Sequence, residues 1–208
     1  MKKLAIFDID GTLHKTEVMS WEAYTRVMPA LGLAVPQRET LISTYGCNTP
    51  EILRRLGVPE KVKDEFLQRI GWEEIIQMRR CGECYEGILP MLHRLHHDGC
   101  ELALCSMCDQ DYMDAFIDHF GLSHMIVMER NETAGSEKKV LLGEILRELR
   151  PERAVMVGDR IYDIQAAREN NIPAVGCLYG YSPQEARMAD AVVKDAAELY
   201  QKIQEYLA

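Results

Sequence analysis

Asp8 and Asp10 stand two residues apart in the stretch Phe7-Asp8-Ile9-Asp10-Gly11-Thr12-Leu13, directly after the apolar run Leu4-Ala5-Ile6-Phe7. The run reads as a buried parallel strand, and Gly11 marks where it stops. Residues two apart on a strand point the same way, and a strand end lets both carboxylates reach one cleft. Like charges at this spacing are costly unless a cation neutralises them or one keeps its proton. Either arrangement is useful chemistry. One carboxylate can act as a metal-bound nucleophile and the other as a general acid. On the pair alone, two solvated aspartates in a turn would serve equally well as an explanation.

Other polar residues recur where further apolar runs end. Ser106 follows Glu101-Leu102-Ala103-Leu104-Cys105, and its hydroxyl can donate to a phosphate oxygen. Lys138 follows Gly135 and Ser136 at the start of a helical pattern, with Lys139 as the alternative lysine. Val140, Leu141, Leu142 and Ile145 must face the core, which favours Lys138. The run Arg153-Ala154-Val155-Met156-Val157 leads into Gly158-Asp159-Arg160-Ile161-Tyr162-Asp163, two carboxylates at a helix start. Carboxylate oxygens from two such strand ends suit Mg²⁺, a hard cation that bridges to phosphate. Serine and lysine would then hold the remaining phosphoryl oxygens and offset charge in the transition state.

These residues need elements to position them. The pattern predicts helix 86–98, strand 101–105, helix 110–120, strand 125–128, helix 136–149, strand 153–157, helix 161–170 and strand 174–177. A short helix near 183–188, a strand near 191–193 and a C-terminal helix follow. Alternating β and α units imply an α/β fold with a Rossmann-like parallel sheet covered by helices on both faces. Residues 16–80 carry no convincing strand. Helices are expected over Thr16–Leu31, from Thr49 as N-cap with Pro50 at the first helical position to Gly57, and over 59–80. This all-helical block reads as an inserted cap over 16–85, with 1–15 and 86–208 forming the catalytic core.

The 208 residues suffice for one domain with an insertion, and 47% apolar with 27% charged content is ordinary for a globular protein. A net charge of −9 without a basic stripe argues against nucleic acid as a partner. Seven cysteines, an odd count, favour reduced thiols in a cytoplasmic setting. Neither a membrane span nor a signal-peptide core is expected.

The order Asp8-Ile9-Asp10-Gly11-Thr12-Leu13, then Ser106, then Lys138, then Gly158-Asp159 and Asp163 resembles the haloacid dehalogenase-like superfamily. The insertion resembles the helical cap of its phosphoglycolate phosphatase and β-phosphoglucomutase branch. The segment Val175-Gly176-Cys177-Leu178-Tyr179-Gly180-Tyr181 is similar to the phosphoglycolate phosphatase-like group. The resemblance implies a Mg²⁺-dependent phosphatase for a small phosphorylated metabolite, phosphoglycolate first. Asp8 would form an aspartyl-phosphate. Asp10 would protonate the leaving alcohol and then activate water. Mg²⁺ would be held by Asp8, the backbone carbonyl of Asp10, and Asp159, with Asp163 as ligand or support. Gly11, Thr12, Ser106, Met107 and Lys138 would bind the phosphoryl group. Relatives often carry an acid where this chain has Lys15, ahead of Thr16. A phosphomutase of the β-phosphoglucomutase type is the alternative, and a phospho-accepting signalling module is a weaker one.

Other residues carry plainer readings. Asp109 suits the N-cap of helix 110–120. His93, His96 and His97 read as an exposed helix face. Cys81/Cys84 and Cys105/Cys108 have zinc-ribbon spacing, but Cys105 should sit in a buried strand, facing opposite to Ser106. Tyr45, Gly46, Cys47 and Asn48 could form an anion-facing loop or a simple inter-helix turn.

Overall fold

The computed structural model describes residues 2–132 and 136–208. Its sheet has six parallel strands in the order β3-β2-β1-β4-β5-β6. These are β1 (Lys3–Phe7), β2 (Glu101–Cys105), β3 (Ile126–Arg130), β4 (Arg153–Gly158), β5 (Ala174–Cys177) and β6 (Ala191–Val193). The chain order reverses beside β1, so β1 and β4 run side by side at the centre, with Phe7 opposite Val157. A crevice opens at such a switch point, beyond the carboxyl ends of the strands.

Beyond its first residue each central strand is apolar, because both of its faces are covered. Ala5, Phe7, Leu102, Leu104, Val155 and Val157 point to one side. There they meet α5 (Ile88–His97), α6 (Gln110–His119) and α10 (Ala196–Tyr206) through Leu95, Phe116 and Ile203. Leu4, Ile6, Ala103, Cys105 and Met156 point to the other side. They meet α7 (Lys138–Leu149) and α8 (Ile161–Glu169) through Leu142 and Ile164. Successive side chains therefore alternate between two cores, as strand geometry requires.

Between β1 and α5 lie α1 (Glu17–Ala30), α2 (Arg38–Ile42), α3 (Thr49–Leu56) and α4 (Lys63–Cys81). They enclose a core of their own around Ala23, Tyr24, Leu41, Tyr45 and Phe66. The two connections to this helical block run side by side. Lys15 donates its backbone N–H to the Glu83 carbonyl at 2.8 Å, and Tyr85 donates to the Leu13 carbonyl at 3.0 Å. The Lys15 ammonium lies 3.6 Å from the Glu83 carboxylate. A lysine at this point is thus matched by an acid on the returning segment. A short helix, α9 (Pro183–Ala186), precedes β6.

The structure departs locally from the sequence expectations. The helix expected from residue 86 begins at Ile88, because Gly87 has φ 78° and cannot belong to a right-handed helix. The strand expected over 125–128 runs over Ile126–Arg130, where Arg130 is drawn to Glu144 and Glu148 of α7. The helix expected over 136–149 begins at Lys138. Gly135, expected ahead of it, lies outside the described residues. Asn48, not Thr49, caps α3 by accepting from the Glu51 N–H at 3.1 Å. Asparagine at the N-cap satisfies an otherwise orphaned helix donor, and this leaves Thr49 free to bind elsewhere. The short α2 was not expected at all.

Candidate active site

Asp8 lies one residue beyond β1 and is fully buried. Its backbone N–H continues the ladder to the Val157 carbonyl at 2.9 Å, which fixes its direction. The chain then turns sharply. The Ile9 carbonyl accepts from the N–H groups of Thr12, Leu13 and His14 at 2.9–3.2 Å, and Gly11 takes φ 80°. A Cβ on Gly11 would come within 2.5 Å of Asp159 Oδ2, so only glycine lets the two loops meet. The same holds at Gly158, where a Cβ would lie 2.1 Å from Asp163 Cγ.

Lys138, at the first turn of α7, reaches between two carboxylates. Its Nζ lies 2.7 Å from Asp8 Oδ1 and 2.5 Å from Asp163 Oδ1. Burial alone would pull its pKa down, but Asp163 and Asp8 outweigh it and hold the ammonium charged. Lys139 points to the surface, where it pairs with Glu137 and Glu169. Asp163 is also fixed by the Arg160 N–H, which donates to its Oδ2 at 3.0 Å. Burial raises the Asp163 carboxyl to about 6 despite the lysine.

Asp159 Oδ2 accepts from the Tyr181 N–H at 2.7 Å. Burial, then Asp163 and Asp8, push this carboxyl well above its usual range. Asp8, Asp159 and Asp163 each place an oxygen within 4.8 Å of the others. Asp8 Oδ2 and Asp159 Oδ1 are buried without a hydrogen-bond partner. Two orphaned carboxylate oxygens in a triad of acids form a donor set that fits a hard divalent cation.

Ser106 Oγ and Thr12 Oγ1 are likewise buried and unpartnered. The Gly11 and Thr12 amides are committed to the turn, donating to the His14 and Ile9 carbonyls. Gly11 therefore offers close approach rather than a free donor, and of Thr12 it is the hydroxyl that is left unpartnered. Met107 is buried beside Ser106 and lines the cleft.

Asp10 faces the cleft instead of the triad. Thr16 Oγ1 donates to its Oδ1 at 2.6 Å and the Tyr112 hydroxyl donates to the same oxygen at 2.8 Å. Burial and the neighbouring Asp8 raise its pKa to about 6, with the two donors opposing that shift. A carboxyl poised there can both give and take a proton near neutrality. Tyr112 in turn meets His14 Nδ1 at 3.1 Å. His14 is buried against Phe116 and Phe120, and burial lowers its pKa to about 3, so the ring is neutral. A neutral ring can donate from Nδ1 to Tyr112, leaving the tyrosine proton for Asp10.

The helical block closes over this cleft through polar contacts. The Arg160 guanidinium donates to the Tyr45 carbonyl, and the Tyr181 hydroxyl binds Glu17. Thr49 donates its N–H and hydroxyl to Glu132 at 3.1 and 2.9 Å. The Tyr45–Asn48 segment, with Gly46 and Cys47 lining the cleft, is the turn between α2 and α3.

The cysteine pairs do not converge. Cys81, Cys84 and Cys108 pack on the Phe7 side of the sheet and Cys105 on the other. All seven cysteines are free thiols. Asp109 caps α6 by accepting from the Tyr112 N–H at 2.8 Å.

Residues 5–177 match the haloacid dehalogenase-like hydrolase family. The chain belongs to that family. Among curated relatives, the phosphoglycolate phosphatase of Agrobacterium fabrum is 28% identical over 96% of this chain and 91% of its own. The tyrosine-protein kinase PtkA of Mycobacterium tuberculosis is 29% identical over 86% of this chain, which spans 63% of the length of that relative. A solved structure described as a predicted phosphoglycolate phosphatase from Haemophilus somnus superposes with a TM-score of 0.87 at 18% identity, covering 97% of both chains. The haloacid dehalogenase-like fold thus extends over nearly the whole chain. Tyr112 and Thr16 as partners of Asp10, and Tyr181 as the donor to Asp159, were not singled out by sequence reasoning. Tyrosines in helices and loops give no sign of where their hydroxyls end.

Proposed function

We propose that the protein is a Mg²⁺-dependent phosphatase that hydrolyses a small phosphomonoester through an aspartyl-phosphate on Asp8. The observation that carries this reading is the setting of Asp8, a buried carboxylate with one oxygen held by Lys138 and the other unpartnered. Asp8, Asp159 and Asp163, with the Asp10 carbonyl, would hold the metal. Bound there, Mg²⁺ would neutralise the crowded carboxylates and offset charge on the phosphoryl oxygens.

In the first step an Asp8 oxygen forms a bond to phosphorus as the ester P–O bond breaks. Asp10, held by Thr16 and Tyr112, gives its proton to the departing alkoxide. In the second step Asp10 takes a proton from water as the water oxygen attacks phosphorus. The Asp8–phosphorus bond then breaks, leaving inorganic phosphate. Lys138 and the Ser106 hydroxyl hold the phosphoryl oxygens throughout. Residues 16–85 act as a cap that excludes bulk water from the cleft.

The names of the relatives make phosphoglycolate the first ester to assay. They also make the phosphoryl acceptor a point to test, since one of them is named a tyrosine kinase. The test is phosphate release with Mg²⁺ across a panel of small phosphomonoesters, with EDTA and Asp8→Asn as controls. Turnover lost in both controls supports the reading. A phospho-enzyme that passes its group to a tyrosine peptide in preference to water overturns it.

A further inference from the structure

The cleft above Asp10 has a volume of about 570 Å³, more than a phosphoryl group needs. Its lining is acidic and aromatic. Glu74 of α4, Asp109 at the head of α6 and Glu132 after β3 bring carboxylates, while Tyr24, Tyr45 and Phe66 bring rings. Among the described residues that line it, there is no lysine, arginine or histidine. Thr133, Ala134 and Gly135, which follow Glu132 in the chain, are uncharged. Nearby guanidinium groups are engaged elsewhere. Arg55 is held by Glu51 and the Ser43 carbonyl, and Arg160 by Glu185 and the Tyr45 carbonyl.

The cleft carboxylates have neutral partners or none. Asp109 accepts from the Tyr112 N–H, and Glu132 accepts from Thr49. Glu74 has no hydrogen bond or ion pair among the described residues. Burial, then Asp10 and Asp109, raise its carboxyl to about 8, the mark of a group lacking a counter-charge. A carboxylate on the leaving alcohol would find no cationic side chain among the described lining residues. An ammonium would meet an unpartnered acid and aromatic faces, which attract cations.

The geometry points to a phosphomonoester whose leaving alcohol carries a protonated amine, an amino alcohol or an amino sugar, as the substrate class of this cleft. The inference rests on the phosphatase reading above. The amine takes no part in bond breaking. The alcohol leaves with the Asp10 proton, as for any ester, and the ammonium only orients it.

The test uses the full chain with Mg²⁺ and two matched pairs of esters, phosphoethanolamine against phosphoglycolate and glucosamine 6-phosphate against glucose 6-phosphate. p-Nitrophenyl phosphate serves as a generic substrate. The expected result is a kcat/KM at least about tenfold higher for the amine ester of one pair, a difference of one decade in transition-state binding. The pair that shows it separates a small amino alcohol from an amino sugar. Glu74→Gln should shrink that ratio severalfold. If p-nitrophenyl phosphate is hydrolysed, and its turnover is lost in Asp8→Asn, but neither amine ester outruns its partner, the substrate inference is overturned and the phosphatase reading stands. An unchanged ratio in Glu74→Gln overturns the part assigned to that residue. Absence of Mg²⁺-dependent hydrolysis of every ester removes the phosphatase reading and this inference together.

Discussion

The Tyr112 hydroxyl donates to Asp10 Oδ1 at 2.8 Å across 102 residues of sequence. Tyr112 sits on α6, and Asp10 sits in the turn after β1, so the bond ties the helix that follows β2 to the loop that follows β1. A charge-assisted hydrogen bond of this kind contributes about 1.5–3 kcal/mol. Tyr112→Phe should therefore lower kcat by about 10- to 100-fold while leaving KM nearly unchanged, because the bond orients the proton-transferring carboxyl rather than gripping the phosphoryl group. Steady-state kinetics on any accepted ester checks this. A rise in KM with kcat preserved would place Tyr112 in substrate binding instead.

Lys138 and Lys139 are neighbours with opposite settings. Lys138→Met leaves Asp8 and Asp163 buried without their cation and should cost about 3–5 kcal/mol of stability in metal-free protein. Lys139→Met removes only exposed pairs and should leave stability nearly unchanged. Urea unfolding of the two variants in EDTA makes the comparison.

His14 gives a pH signature with a defined sign. Its folded-state pKa is lowered from 6.5 to about 3 by burial. The unfolded chain therefore binds a proton below pH 6.5 that the folded chain refuses. This stability is present above 6.5 and is lost as pH falls towards 3, at about 1.4 kcal/mol per pH unit. His14→Phe should unfold less steeply with acid than the parent between pH 6 and 4. Parallel slopes for the two proteins would show that His14 opens to water in the folded state.

The acid triad makes metal binding visible without turnover. Asp8, Asp159 and Asp163 repel one another in a buried setting, and a divalent cation binding the folded state alone must raise the melting temperature. Millimolar Mg²⁺ should do so for the parent and much less for Asp159→Asn. An equal shift in both would locate the metal elsewhere.

Much of this architecture was legible in the chain because it rests on short-range signals. Strand 101–105 and strand 174–177 stand where their apolar runs lie, and Asp8, Asp10, Ser106 and Asp159 follow strand ends, where the topology gathers them. Asp109 caps its helix, a consequence of local backbone geometry. Relations set by the packing of distant elements were not legible. Nothing near Tyr112 reveals that its hydroxyl reaches Asp10, and nothing near Glu74 reveals that α4 turns it into the cleft. The cap of α3 was misplaced by one residue because Asn48 and Thr49 are both good N-caps, and Glu132, far along the chain, claims the threonine.

In the proposed reaction Asp8 becomes phosphorylated. The most direct measurement is rapid acid quench during turnover, borohydride reduction of the trapped acyl phosphate, and peptide mass mapping. Residue 8 should be converted to homoserine, a product absent in Asp8→Asn and absent without Mg²⁺. Homoserine at position 10, or a protein that turns over ester with neither aspartate modified, would contradict it.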